Sequence, residues 1–206
     1  MHAKLRFSYG TMGSGKSLEL LTTAFNFETK HIPFAIIKSS VDTRDGGEIK
    51  SRIGEGVSRK CMLVDQETNL YELFKDIKKF NGGDLGIQWL FVDEAQFLTE
   101  EQVDQLSDIV DYEDVDVWCF GLRTDFKTHL FPGAKRLFEI ADKIKQIKSS
   151  CSCGRKNIVN ARLTKDGNLA IAGAQTQVGG DDLYEAICRK CYKDKLKAQK
   201  VHENEE

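Results

Sequence analysis

The stretch GTMGSGKS, residues 10–17, constrains what this chain can fold into more than any other feature. It matches G-x-x-x-x-G-K-[ST], preceded by a strand-like KLRFSY and followed by a helical pattern from Lys16 to about Lys30. In such a loop Gly10, Gly13 and Gly15 let the backbone turn its N–H groups onto phosphate oxygens, and the helix start adds partial positive charge. Lys16 is expected to reach the outer phosphates of a nucleotide and the Ser17 hydroxyl to hold Mg²⁺; Thr11, Met12 and Ser14 complete the expected cradle.

The pattern after the loop alternates strands and helices up to about residue 148. Leu18, Leu21, Ala24 and Phe25 form the expected inner face of the first helix, and FAIIK (34–38) reads as a buried parallel strand. Residues 41–56, charged and glycine-rich, read as a long mobile loop, and CMLV (61–64) as a short strand. Leu70, Leu73, Phe74, Ile77 and Phe80 keep a helical period that Asn81-Gly82-Gly83 ends. IQWLFVDEAQF (87–97) is an apolar strand with an acidic end. Thr99 and Gln102 have capping-box spacing before a helix faced by Val103, Leu106 and Val110. VDVWCFGL, a loop, AKRLFEIA and KIKQI supply a strand, a connection, a short helix and a last strand. This order implies an α/β fold for residues 1–148: a P-loop NTPase-type parallel sheet flanked by helices.

From Cys151 the texture changes. NIVNARLT, NLAIAG and LYEAIC read as short β pieces without helical period, a small β-rich, zinc-ribbon-like module over 149–195. The charged residues 196–206 are expected to fray. Cys151 with Cys153 and Cys188 with Cys191 are two close pairs, the donor set of a closed, structural Zn²⁺ site. Cys61 and Cys119 sit in apolar runs and read as inert buried thiols.

Composition narrows the function. With a net charge of −2 and hydrophobic and charged fractions of 40% and 30%, the chain reads as a soluble globular protein. It lacks the basic stripe of a nucleic-acid binder; KIKQIK is only a small basic stretch. No run approaches 18 apolar residues, and MHAKLRFSYG lacks a signal peptide's apolar segment, so a cytoplasmic protein without membrane contact is expected. No Asn-Lys-x-Asp guanine signature is present, and the four histidines match no metal spacing.

A phosphate loop needs an acid at the end of a hydrophobic strand, and Asp93 of QWLFVDE fits as the second Mg²⁺ ligand. Glu94, next along, is placed to take a proton from an attacking hydroxyl or water.

These motifs in this order, GTMGSGKS, VDTR (41–44), FVDEAQF, FGLRTDF (120–126), LFPGA, then CSCGRKNIVNARL and GGDDLYEAICRKCY, resemble the type II thymidine kinases over residues 4–195. The resemblance implies transfer of the γ-phosphate of ATP to the 5′-hydroxyl of thymidine with Mg²⁺, in a homotetramer inhibited by dTTP. It makes Glu94 the base, and sets Asp42 and Arg44 of VDTR near the phosphates with Gln96, which also suits the sugar or base. It points to Met12 and Leu122 near the thymine methyl, Phe97, Phe126 and Phe131 around the ring, and Tyr184 over the nucleoside. The C-terminal module becomes a zinc-bearing lasso. The alternative from the residues alone is a P-loop NTPase hydrolysing ATP beside a zinc ribbon that binds nucleic acid or protein.

Overall fold

The computed structural model describes residues 2–41, 46–50, 57–80, 86–175 and 184–203. Leu5–Tyr9 forms β1, Lys16–Thr29 α1 and Phe34–Ser39 β2. Two short strands, β3 (Glu48–Lys50) and β4 (Ser58–Lys60), pair antiparallel, and β5 is Met62–Val64. Then come α2 (Leu70–Phe80), β6 (Trp89–Asp93), a 3₁₀ turn at Ala95–Phe97, α3 (Glu100–Glu113) and β7 (Asp116–Gly121). The body ends with α4 (Pro132–Ile140) and β8 (Lys143–Gln146).

Six strands form one sheet in the order β5-β2-β6-β7-β1-β8, every pairing parallel. A period of two sorts its side chains onto two cores. Leu90 and Val92 of β6, with Val117 and Cys119 of β7, join the core under α2, α3 and α4. Phe91, Phe120, Trp89 and Trp118 point the other way, to Leu20, Leu21 and Ala24 of α1. Both faces are covered, as a parallel sheet requires.

Thr99 caps α3 through the expected box: its hydroxyl accepts from the Gln102 amide at 3.1 Å, and its own amide donates to Gln102 Oε1 at 3.2 Å. The inner face of α1 is rotated from the expected one. Leu20 replaces Leu18 at its centre, and Phe25 is 58% exposed, because the aromatic layer of β6 and β7 is met by Leu20, Ala24 and Phe27. The stretch read as a loop over 41–56 contains β3, whose Ile49 is buried in the α1 core and anchors a short antiparallel strand pair. Residues 42–45 and 51–56 of that stretch lie outside the described residues.

The C-terminal module has two antiparallel strands, β9 (Val159–Arg162) and β10 (Tyr184–Ile187), and a helix, α5 (Arg189–Glu203). Val159, Ala161, Leu169 and Ile187 form a small core with Cys151 and Cys188. The helix corrects the expected frayed tail as far as Glu203. Leu196 packs on this core, and Gln199 bonds the amide and carbonyl of Leu169, so two side chains in a charged run are enough to dock it. NLAIAG contributes a single antiparallel bridge, Leu163–Leu169, in place of a strand.

Candidate active site

Three neighbouring strands deliver their ends to one edge. The glycine-rich loop follows β1, Glu94 follows β6, and Leu122 follows β7. The carboxyl edge of a parallel sheet is where such folds place ligands. Gly13 and Gly15 have φ of 68° and 91°, in the left-handed region that glycine enters without steric cost, and they turn the chain into α1. Lys16 is buried against the loop, its ammonium donating to the Thr11 carbonyl at 2.9 Å. The Ser14 hydroxyl is buried and, among the described residues, has no hydrogen-bond partner.

Asp93 lies on the α1 face of the sheet, 3% exposed, directly across from Lys38 of β2. Burial, and then the charge of Glu94, raise its carboxyl to about 7, against the pull of the Lys38 and Lys16 ammonium groups. Its Oδ1 is buried without a hydrogen bond. A carboxylate oxygen left open beside a loop lysine suits a hard divalent cation, which would return the group to its ionised form. Ser17, half-buried in the first turn of α1, is the accompanying oxygen expected from the motif.

Glu94 has φ 52°, a left-handed backbone that a non-glycine residue adopts at a cost of order 1–3 kcal/mol. The turn swings its side chain away from the strand alternation. Gln96 Nε2 donates to Glu94 Oε2 at 2.5 Å, while Gln96 Oε1 accepts from the Leu122 amide at 2.8 Å. Gln96 is fully buried, with both ends of its amide engaged between β6 and β7. It therefore braces Glu94 against β7. A side chain at Gly121 would meet Gln96 Oε1 at 2.6 Å, so glycine there makes room for the brace.

The sulfurs of Cys151, Cys153, Cys188 and Cys191 lie within 4.8 Å of one another, with Cys153 and Cys188 3.6 Å apart. A tetrahedral site with Zn–S near 2.3 Å separates its sulfurs by about 3.8 Å, so the four thiols fit a structural zinc with no position left for substrate. Backbone amides of Cys153 and Cys188 hold Cys151 down to about 6, while neighbouring sulfurs push Cys191 up to about 12.

The thymidine kinase family model matches residues 3–192, from before β1 to just past the last cysteine. The chain belongs to the thymidine kinase family. It is 42% identical over 195 residues to the thymidine kinase of Haemophilus influenzae, covering 94% of this chain and 97% of that protein. The thymidine kinase of phage T4 is 41% identical over 189 residues, 91% of this chain and 94% of its own. That of Salmonella typhimurium is 40% identical over 195 residues, 94% of this chain and 92% of its own.

In this thymidine kinase family member the expected pocket residues fall into two groups. Phe97 and Phe131 meet edge to face at 5.6 Å and pack with Leu122 against the body core. Met12 and Phe126 meet the cysteine module, which carries Tyr184 on β10. The Met12 amide donates to Asn160 Oδ1 at 2.7 Å, Asn160 Nδ2 donates to the Thr124 carbonyl at 3.4 Å, and Arg162 covers the Phe126 ring. Tyr184 is the strand partner of Arg162. Asp42 and Arg44 lie outside the described residues.

Lys38, Asn160 and Arg162 have no role in the sequence reading, and all three are buried polar residues at the site. Their signals were available. Lys38 ends an otherwise apolar strand, and Val159-Asn160-Ala161-Arg162 alternates, so one face suits the cysteine core and the other a polar seam.

Proposed function

We propose that this chain transfers the γ-phosphoryl group of ATP to the 5′-hydroxyl of thymidine, forming ADP and dTMP. The observation that carries the proposal is the braced carboxylate of Glu94 at the strand edge that also bears the glycine-rich loop. Glu94 takes the proton of the 5′-hydroxyl as that oxygen forms its bond to the γ-phosphorus; the bond from γ-phosphorus to the β–γ bridging oxygen breaks, and ADP leaves. Phosphoryl transfer asks the protein chiefly for alignment and charge neutralisation. Lys16 and the amides of residues 10–17 hold the phosphates, with Asp42 and Arg44 assigned beside them. Ser17 and Asp93 would hold Mg²⁺, which would supply charge to neutralise the phosphates. Met12, Phe97, Leu122, Phe126, Phe131 and Tyr184 receive the thymine. The four cysteines would hold zinc, which would order the module that bears Tyr184.

The homotetramer and inhibition by dTTP belong to the same proposal and rest on the resemblance, and a cytoplasmic location is proposed with them; no helix among the described residues is long and apolar enough to cross a membrane. The test is Glu94→Gln, which keeps the shape and the Gln96 contact while removing the base. Turnover of thymidine is expected to fall about 10²–10⁴-fold with ATP affinity unchanged. Undiminished turnover would remove Glu94 from the mechanism.

A further inference from the structure

We infer that Arg162 is a positioning residue for the nucleoside, one planar group that sets the Phe126 ring and the chain at 172–174 relative to each other. The inference rests on the pocket assignment proposed above. β9 sends Val159 and Ala161 into the cysteine core and Asn160 and Arg162 to the opposite face, toward the body. Arg162 is 6% exposed, and its guanidinium carbon lies 3.7 Å from the centroid of Phe126. Its Nη2 donates to the Ala172 carbonyl at 2.8 Å and its Nη1 to the Ala174 carbonyl at 3.2 Å. In the β9–β10 register it sits opposite Tyr184, and directly opposed residues of an antiparallel pair share a face.

These contacts belong to a costly residue. A buried cation is unfavourable unless its donors are met, and among the described residues Arg162 is met by two carbonyls and a ring, with no carboxylate in salt-bridge range. An apolar side chain would fill the space without that cost. What it could not do is stack on a ring while forking to two carbonyls, for which the guanidinium plane is suited and a lysine ammonium is not. Gly173, with φ +122°, completes the arrangement: a side chain there would run into Arg162 Nη2. Lys127 also lies over Phe126, at 5.4 Å, but it belongs to the same loop and ties that ring to nothing else.

Arg162 thus joins two parts of the proposed pocket, Phe126 from the loop after β7 and, across the strand pair, Tyr184 from β10, to the chain at 172–174. Losing it should loosen thymidine binding and leave ATP binding alone, because the glycine-rich loop reaches the module through Asn160 and Ser149 instead.

The experiment compares Arg162→Lys, Arg162→Met and Gly173→Ala with the unaltered, zinc-loaded protein. It measures KM for thymidine, KM for ATP, kcat, zinc content and Tm. Arg162→Lys and Arg162→Met are expected to raise KM for thymidine about 10–100-fold, the range for losing hydrogen bonds from a charged group, with KM for ATP and zinc content unchanged. Gly173→Ala should follow in the same direction. Unchanged KM for thymidine in both arginine variants would overturn the inference. So would a parallel rise of both KM values with zinc loss, which marks a purely structural residue. If the unaltered protein makes no dTMP, the proposed function fails and this inference fails with it; an active parent with indifferent variants sinks the inference alone.

Discussion

The sheet body buries two cores, one of more than twenty residues under α2, α3 and α4 and one of seven under α1. Among the described residues the module after Cys151 buries six, and two of those are cysteines. The body is ordered by apolar packing on both faces of a parallel sheet, whereas the module has two four-residue strands, a helix with a single docked stripe and four clustered thiols. Zinc binding in small modules is worth about 10–16 kcal/mol, more than so small a core supplies. With zinc on the four cysteines, as proposed, the two regions would be held by different forces and would divide the proposed work: groups for phosphate and proton transfer stand on the body, and one wall of the nucleoside pocket stands on the module.

Removing the metal should separate the regions most. Chelation, or Cys188→Ala, is expected to abolish measurable thymidine binding and free residues 151–191 for amide exchange, while the sheet keeps its own thermal transition and ATP still binds. A single transition lost in one step would contradict the division. Gly121→Ala tests the body side. Its new methyl meets Gln96 Oε1 at 2.6 Å. Overpacking of this kind costs about 1–3 kcal/mol, so kcat is expected to fall about 10–100-fold by dislodging the brace on Glu94, with zinc content unchanged. Full activity would show that Gln96 does not hold Glu94 for catalysis. Thr99→Ala should have the smallest effect, a loss of about 1 kcal/mol in denaturant unfolding of the body from the broken cap, with kcat and zinc content as before. An altered kcat would mean that α3 is coupled to the site.

The body was readable because its signals are local and repeated: apolar strands, helical periods and one capping box each name an element. The residues proposed for phosphate and metal were readable for the same reason, since Gly10 to Ser17, Asp93 and the four cysteines stand in motifs of fixed spacing. What escaped depends on contacts distant in the chain. Gln96 looks like a strand-end amide until Leu122, 26 residues away, occupies its oxygen. Ile49 is one apolar residue among charges, and only α1 gives it a core. Leu196 and Gln199 dock a helix that charge alone would leave free. Arg162 reads as a strand arginine until Phe126, Ala172 and Ala174 surround it.

The most direct test of the account is ATP- and Mg²⁺-dependent phosphorylation measured across thymidine, deoxyuridine, deoxycytidine and deoxyadenosine. The account predicts dTMP formed one for one with ADP, and little product from deoxycytidine or deoxyadenosine. Steady ATP hydrolysis without any nucleoside monophosphate would contradict it.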